Sequence, residues 1–161
     1  MNGGTGAVNG CLLPTGNPGP RLDERRGAGT AFQWERVCVL EYQSSPESVP
    51  RARRDSRKVL TEWGFGAVAA DAEVALSELL TNAIVASAAL PLRPGVRVKL
   101  LADPGQLVVE VFDHAPGRPV RMAPARDEPR GRGLAMVEAL AHRWDWTRYP
   151  GGKSVWCDFW L

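Results

Sequence analysis

The run from about residue 67 or 71 to residue 89 constrains the fold most, because it reads as one long helix that is apolar on several sides. Val74, Leu76, Leu79, Leu80, Ala83 and Ile84 crowd together, and Pro91 and Pro94 end the run. Such a helix is stable only where other elements cover it. Inside it, SELLTNAIVAS places Glu78 and Asn82 four residues apart, hence on one face. Asn is a poor residue for a helix interior, because its amide competes for backbone hydrogen bonds. A carboxylate and an amide oxygen on one stripe suit a hard cation that keeps several waters, and a carboxylate is the usual general base for a hydroxyl. By itself the same spacing also describes a solvated face.

The covering elements can be read on both sides. ERVCVLEYQ alternates as a strand, with Val37, Val39 and Glu41 on one face and Cys38, Leu40 and Tyr42 on the other. A helix follows, opened at Ser45-Pro46 or Val49-Pro50 and stopped by Gly64 and Gly66, with Val49, Ala52, Val59, Leu60 and Trp63 at helical spacing. GVRVKLLAD and GQLVVEVFDH are strands joined at Asp103-Pro104-Gly105. After the aperiodic APGRPVRMAPARDEPRGRG come a short helix, LAMVEALAHRW, and two strands, RWDWTRY and KSVWCDFWL, joined at Pro150-Gly151-Gly152. A long loop of this kind is usually functional or disordered. The expected class is α+β: a two-layer α/β sandwich whose mostly antiparallel mixed sheet is covered on one face by about three helices. Residues 1–31, rich in Gly, Pro, Asn and Arg, read as a disordered tail, and residues 32–161 as one domain.

Three further features carry chemistry. Asp113 ends a strand at the mouth of the long loop, where a carboxylate can accept a hydrogen bond from an exocyclic amine or simply form a turn. Gly131 and Gly133 flank Arg132 at the start of a helix, whose free N–H groups favour an anion. Neither a Walker A loop nor a dinucleotide fingerprint is present, since the glycines do not follow the first strand of a βαβ unit. Lys153, in GGKSVW, lies either near a phosphate or in solvent.

In this order the features resemble the Bergerat-fold ATPases of the gyrase, heat-shock-chaperone and histidine-kinase type. Glu78…Asn82 looks like their N box, Asp113 like the Asp of the first glycine box, and GRGL, Gly131 to Leu134, like the second. The resemblance covers roughly residues 35–161. The pattern SELLTNA, VFDHAPGRPV, GRGLAMVEAL and GKSVW looks most like stand-alone regulators related to anti-sigma-factor serine kinases. It implies a Mg-ATP-dependent protein serine/threonine kinase and switch. In that reading Asn82 holds Mg²⁺ and Glu78 is the catalytic base on a partner hydroxyl. Asp113 reads the adenine amine, and Gly131, Arg132, Gly133 and Leu134 bind the phosphates of ATP. The implied partners are an anti-anti-sigma-type protein and a sigma factor. The alternative is a non-catalytic ATP-binding module that controls partner binding. Two positions depart from the pattern: DHAPG lacks a glycine two residues after Asp113, and IVAS follows Asn82-Ala83 where the family often has a basic residue.

Composition narrows the rest. A net charge of +2 over 161 residues does not by itself imply nucleic acid, and the basic run Arg51, Arg53, Arg54, Arg57, Lys58 reads as a solvated or partner-docking face. No apolar run approaches the ~20 residues of a membrane span, and no secretion signal is read. Cys11, Cys38 and Cys157 are scattered, which suits free thiols in a reducing cytoplasm. His114 and His142 both lie downstream of Asn82, so a full histidine kinase, with its phospho-accepting His upstream, is not expected. Trp144, Trp146, Trp156 and Trp160 share a sheet face if the last hairpin pairs them, either as core or as an exposed patch for a homodimer or partner.

Overall fold

The computed structural model describes residues 34–92, 94–119 and 133–161. The elements run β1 (Arg36–Tyr42), α1 (Ser48–Glu62), α2 (Ala69–Ser87), β2 (Val96–Asp103), β3 (Gln106–Asp113), α3 (Gly133–Leu140), β4 (Arg143–Tyr149) and β5 (Gly152–Trp160). The strands form one five-stranded sheet in the order β1-β2-β3-β5-β4, and each neighbouring pair is antiparallel. The three helices cover one face, so the expected two-layer α+β architecture is found. The reading of 1–31 as a tail lies outside the described residues.

Alternation in the strands decides which face is covered. Cys38, Leu40 and Tyr42 of β1, Val96, Val98, Leu100 and Ala102 of β2, Leu107, Val109 and Val111 of β3, and Val155, Cys157 and Phe159 of β5 join the helices in one core. Each fully buried leucine or valine there contributes about 1.5–3 kcal/mol. The hairpins that deliver these strands are two-residue turns, Pro104-Gly105 and Pro150-Gly151, as the registers Asp103↔Gln106 and Tyr149↔Gly152 require.

α2 buries Ala72, Ala75, Leu76, Leu79, Leu80, Ala83, Ile84 and Ser87, a single stripe at i, i+3, i+4 and i+7. It is therefore not apolar on several sides: Val74 is turned outward, 37% exposed. α1 contributes a narrower stripe of Ser48, Ala52, Ser56 and Leu60, which leaves Arg51, Arg53, Arg54 and Lys58 exposed. Arg57 is not merely solvated. Its Nε and Nη2 donate to both carboxylate oxygens of the buried Glu73 at 2.6 and 2.5 Å, which ties α1 to α2. α1 ends where the N–H groups of Gly64 and Phe65 bond the carbonyls of Thr61 and Leu60, a Schellman closure.

The tryptophans divide between the two faces. Trp144 pairs with Cys157 and Trp146 with Val155, so both lean on the helix-side core. Trp156 sits on the other face in a small cluster with Trp34, Leu101 and Val108, and Trp160 is 53% exposed. The four do not form one patch, because Trp156 and Trp160 are opposite in phase to the residues that meet Trp144 and Trp146.

Candidate functional site

Glu78 and Asn82 lie beside the buried stripe of α2, Glu78 half-buried and Asn82 exposed. α3 packs on α2 through its buried Leu134 and Val137, and that packing brings the first residue of α3 onto the Glu78–Asn82 pair. A Cβ added to Gly133 would lie 2.7 Å from Glu78 Oε2, 3.5 Å from Asn82 Nδ2 and 3.6 Å from Glu78 Cβ. Glycine is what lets the backbone at the helix start come so near a carboxylate and an amide. The Leu134 side chain is core, so only its backbone faces the helix N-terminus. Gly131 and Arg132 lie outside the described residues.

The second cluster stands at the end of β3, the strand on which α2 packs. Asp113 is buried, and its Oδ1 accepts from the Ala115 N–H at 2.8 Å and from Lys153 Nζ at 2.7 Å. Lys153 Nζ also donates to the Ala115 carbonyl at 3.2 Å. The register Asp113↔Lys153 between β3 and β5 makes this pairing. It also needs Gly152, where a Cβ would strike the Asp113 carbonyl and the Phe112 ring. Lys153 is the functional candidate that sequence reasoning left undecided. Its only signal was a lysine beside Gly151-Gly152, and the partner that fixes its place is 40 residues away.

The histidines stay at the margins. His114 Nδ1 lies 3.0 Å from the Gly151 carbonyl, so the tautomer with a proton there donates to it, and the ring meets Phe112 edge-on at 5.0 Å. His142 follows α3, with its N–H donating to the Asp158 carbonyl at 2.9 Å. A cleft of about 590 Å³ opens at the sheet end between Tyr42, Gly95, Phe112 and His114. None of Glu78, Asn82 and Gly133 lines it, and its cation, Arg97, is already paired with Glu41 at 3.1 Å. The chemistry-bearing residues therefore lie elsewhere.

Among the described residues no group of three His, Cys, Asp or Glu is placed to hold a metal ion. A Mg²⁺ that takes most of its ligands from water and phosphate needs only one or two protein groups, and Asn82 beside Glu78 offers that much. Among the described residues no helix is long and apolar enough to cross a membrane.

A two-layer α+β fold with a carboxylate and an amide on one helix, closed by a glycine at the start of another, defines a class that the sequence comparison makes specific. The chain belongs to the histidine kinase-like ATPase domain family, whose model matches residues 42–159. Chains of solved structures also match, among them the crystal structure of the RsbU and RsbW domains of Rv1364c from Mycobacterium tuberculosis, with a TM-score of 0.58 and 23% sequence identity. That match covers 77% of this chain and 33% of the other, so this chain spans about a third of its length. At that identity the likeness is one of fold. No curated protein matches the chain.

Proposed function

We propose that the chain is a Mg-ATP-dependent protein serine/threonine kinase and switch of the anti-sigma-factor type, acting in the cytoplasm on a partner regulator of bacterial signalling. The observation that supports this reading is the close approach of Gly133 to Glu78 and Asn82, which gathers a carboxylate, an amide and a helix N-terminus at one point. Membership of an ATPase-domain family supports ATP as the ligand. The fold likeness to a protein with RsbU and RsbW domains supports a regulatory setting.

Bound Mg-ATP would supply the transferable phosphoryl group. The chain's own residues then divide the work, which in phosphoryl transfer is mostly positioning and charge neutralisation. The Asn82 side-chain oxygen would hold the metal. Glu78 takes the proton that leaves the serine or threonine hydroxyl of an anti-anti-sigma-type partner. Asp113 would accept from the adenine amine, and the backbone of Gly131, Arg132, Gly133 and Leu134 would hold the phosphates. A sigma factor is the second partner in this reading.

The test is incubation of the full chain with Mg²⁺, γ-labelled ATP and candidate anti-anti-sigma-type proteins. Label on a partner serine or threonine supports the kinase. ATP binding measured by calorimetry, with no label on any partner, would favour the non-catalytic module.

A further inference from the structure

Asp113 and Lys153 face one another across β3 and β5, with side chains only 2% and 5% exposed. An ammonium so far from water has to be bonded, and here it is bonded twice, to Asp113 Oδ1 and to the Ala115 carbonyl. The Ala115 N–H reaches the same Oδ1. Both hydrogen bonds to the Asp113 carboxylate therefore converge on Oδ1, and Oδ2 makes no hydrogen bond among the described residues. A carboxylate held by one donor rotates through a broad, two-fold torsion and exchanges its oxygens. One held from two directions presents the same oxygen each time.

We propose that Lys153 is the positioning residue for base recognition: by clamping Asp113 Oδ1 and the Ala115 carbonyl, it leaves Asp113 Oδ2 as the single acceptor for the exocyclic amine of a 6-aminopurine. The inference rests on the ATP reading above and goes beyond it. The clamp acts at the stretch DHAPG, where Ala115 replaces a glycine of the family pattern and is itself buried. The side chain of Lys153 thus adds a second hold, on the Ala115 carbonyl, to the turn that the Ala115 N–H already closes on Asp113.

The experiment compares ATP with purine-riboside triphosphate, which lacks the amine, by calorimetry on the full chain and on Lys153→Gln. The wild-type chain should prefer ATP by about 10- to 100-fold, the range for a hydrogen bond to a charged group. In Lys153→Gln that preference should fall to about threefold or less. A purely structural lysine would lower the melting temperature and keep the ratio, which would overturn the inference. Should the variant not fold, the ammonium ¹⁵N resonance of Lys153 in the wild-type chain decides. It should stay protected from exchange when ATP binds, and its loss on ATP addition would overturn the clamp. A wild-type chain that binds no ATP refutes the ATP reading and the inference with it. ATP binding that ignores the amine refutes the inference alone.

Discussion

Gly133 stands so near Glu78 that a methyl group on it would lie 2.7 Å from the Glu78 Oε2. The atom it meets is the end of a flexible side chain, so Gly133→Ala is relieved by swinging Glu78 aside. The expected outcome is a melting temperature within a few degrees of wild type with phosphoryl transfer down by about 100-fold, as for a reacting group misplaced by an ångström. Thermal denaturation and the labelled-ATP assay, run on one preparation, check both halves. Undiminished transfer would mean that the position of Glu78 is not critical.

Glu78 and Asn82 should separate in their effects. Glu78→Ala is expected to leave the affinity for Mg-ATP within about threefold and to lower transfer by about 10²- to 10⁴-fold, the range of general-base catalysis. Asn82→Ala should abolish the gain in ATP affinity that Mg²⁺ brings and leave metal-free binding unchanged. Calorimetry with and without Mg²⁺ measures each. Equal losses in both variants would contradict the division of roles.

What was legible in the chain follows from how local each decision is. The two hairpins were readable because their turns are written within a few residues, Asp103-Pro104-Gly105 and Pro150-Gly151-Gly152. Glu78 and Asn82 were readable because they break an apolar run. The faces of the tryptophans were not, since the last hairpin turns on Pro150-Gly151 and a slip of one residue would exchange the faces. Lys153 was harder still. It meets Asp113 because β5 returns beside β3 rather than next to α3, a choice set by the packing of the whole sheet.

Gly152 gives a contrast with Gly133. A Cβ there would run into the Asp113 carbonyl and lie 2.7 Å from the Phe112 ring, and backbone cannot swing aside as a glutamate side chain can. Overpacking of this kind costs about 1–3 kcal/mol. Gly152→Ala should lower the urea midpoint with an unchanged m-value, while Gly133→Ala should not. A Gly152→Ala midpoint equal to wild type would mean that β3 and β5 can part without cost.

Alkaline stability should depend on Cys157. Its side chain is fully buried, and burial first, then the neighbouring Asp158 carboxylate, raises its thiol well above the ordinary value of 9.0. Tyr42 is raised above its ordinary 10.0 in the same direction, by burial and then by Asp55. Above pH 9.0 the unfolded chain releases the Cys157 proton while the folded chain keeps it. The folded state then binds more protons, so stability falls as pH rises. The contribution is complete below the unfolded value and declines above it, by about 1.36 kcal/mol per pH unit for one such group. Near pH 9.0 thiols dominate this loss, and tyrosine in the unfolded chain joins progressively, being half ionised at its ordinary 10.0. Cys157→Ala should therefore flatten the slope of unfolding free energy from pH 9.0 upward, and Tyr42→Phe should act increasingly as the pH approaches and passes 10.0. Urea titrations at half-unit steps from pH 8 to 11 measure both slopes. An unchanged slope in Cys157→Ala would mean that the thiol reaches solvent, against its place between β3 and β4 under the helices.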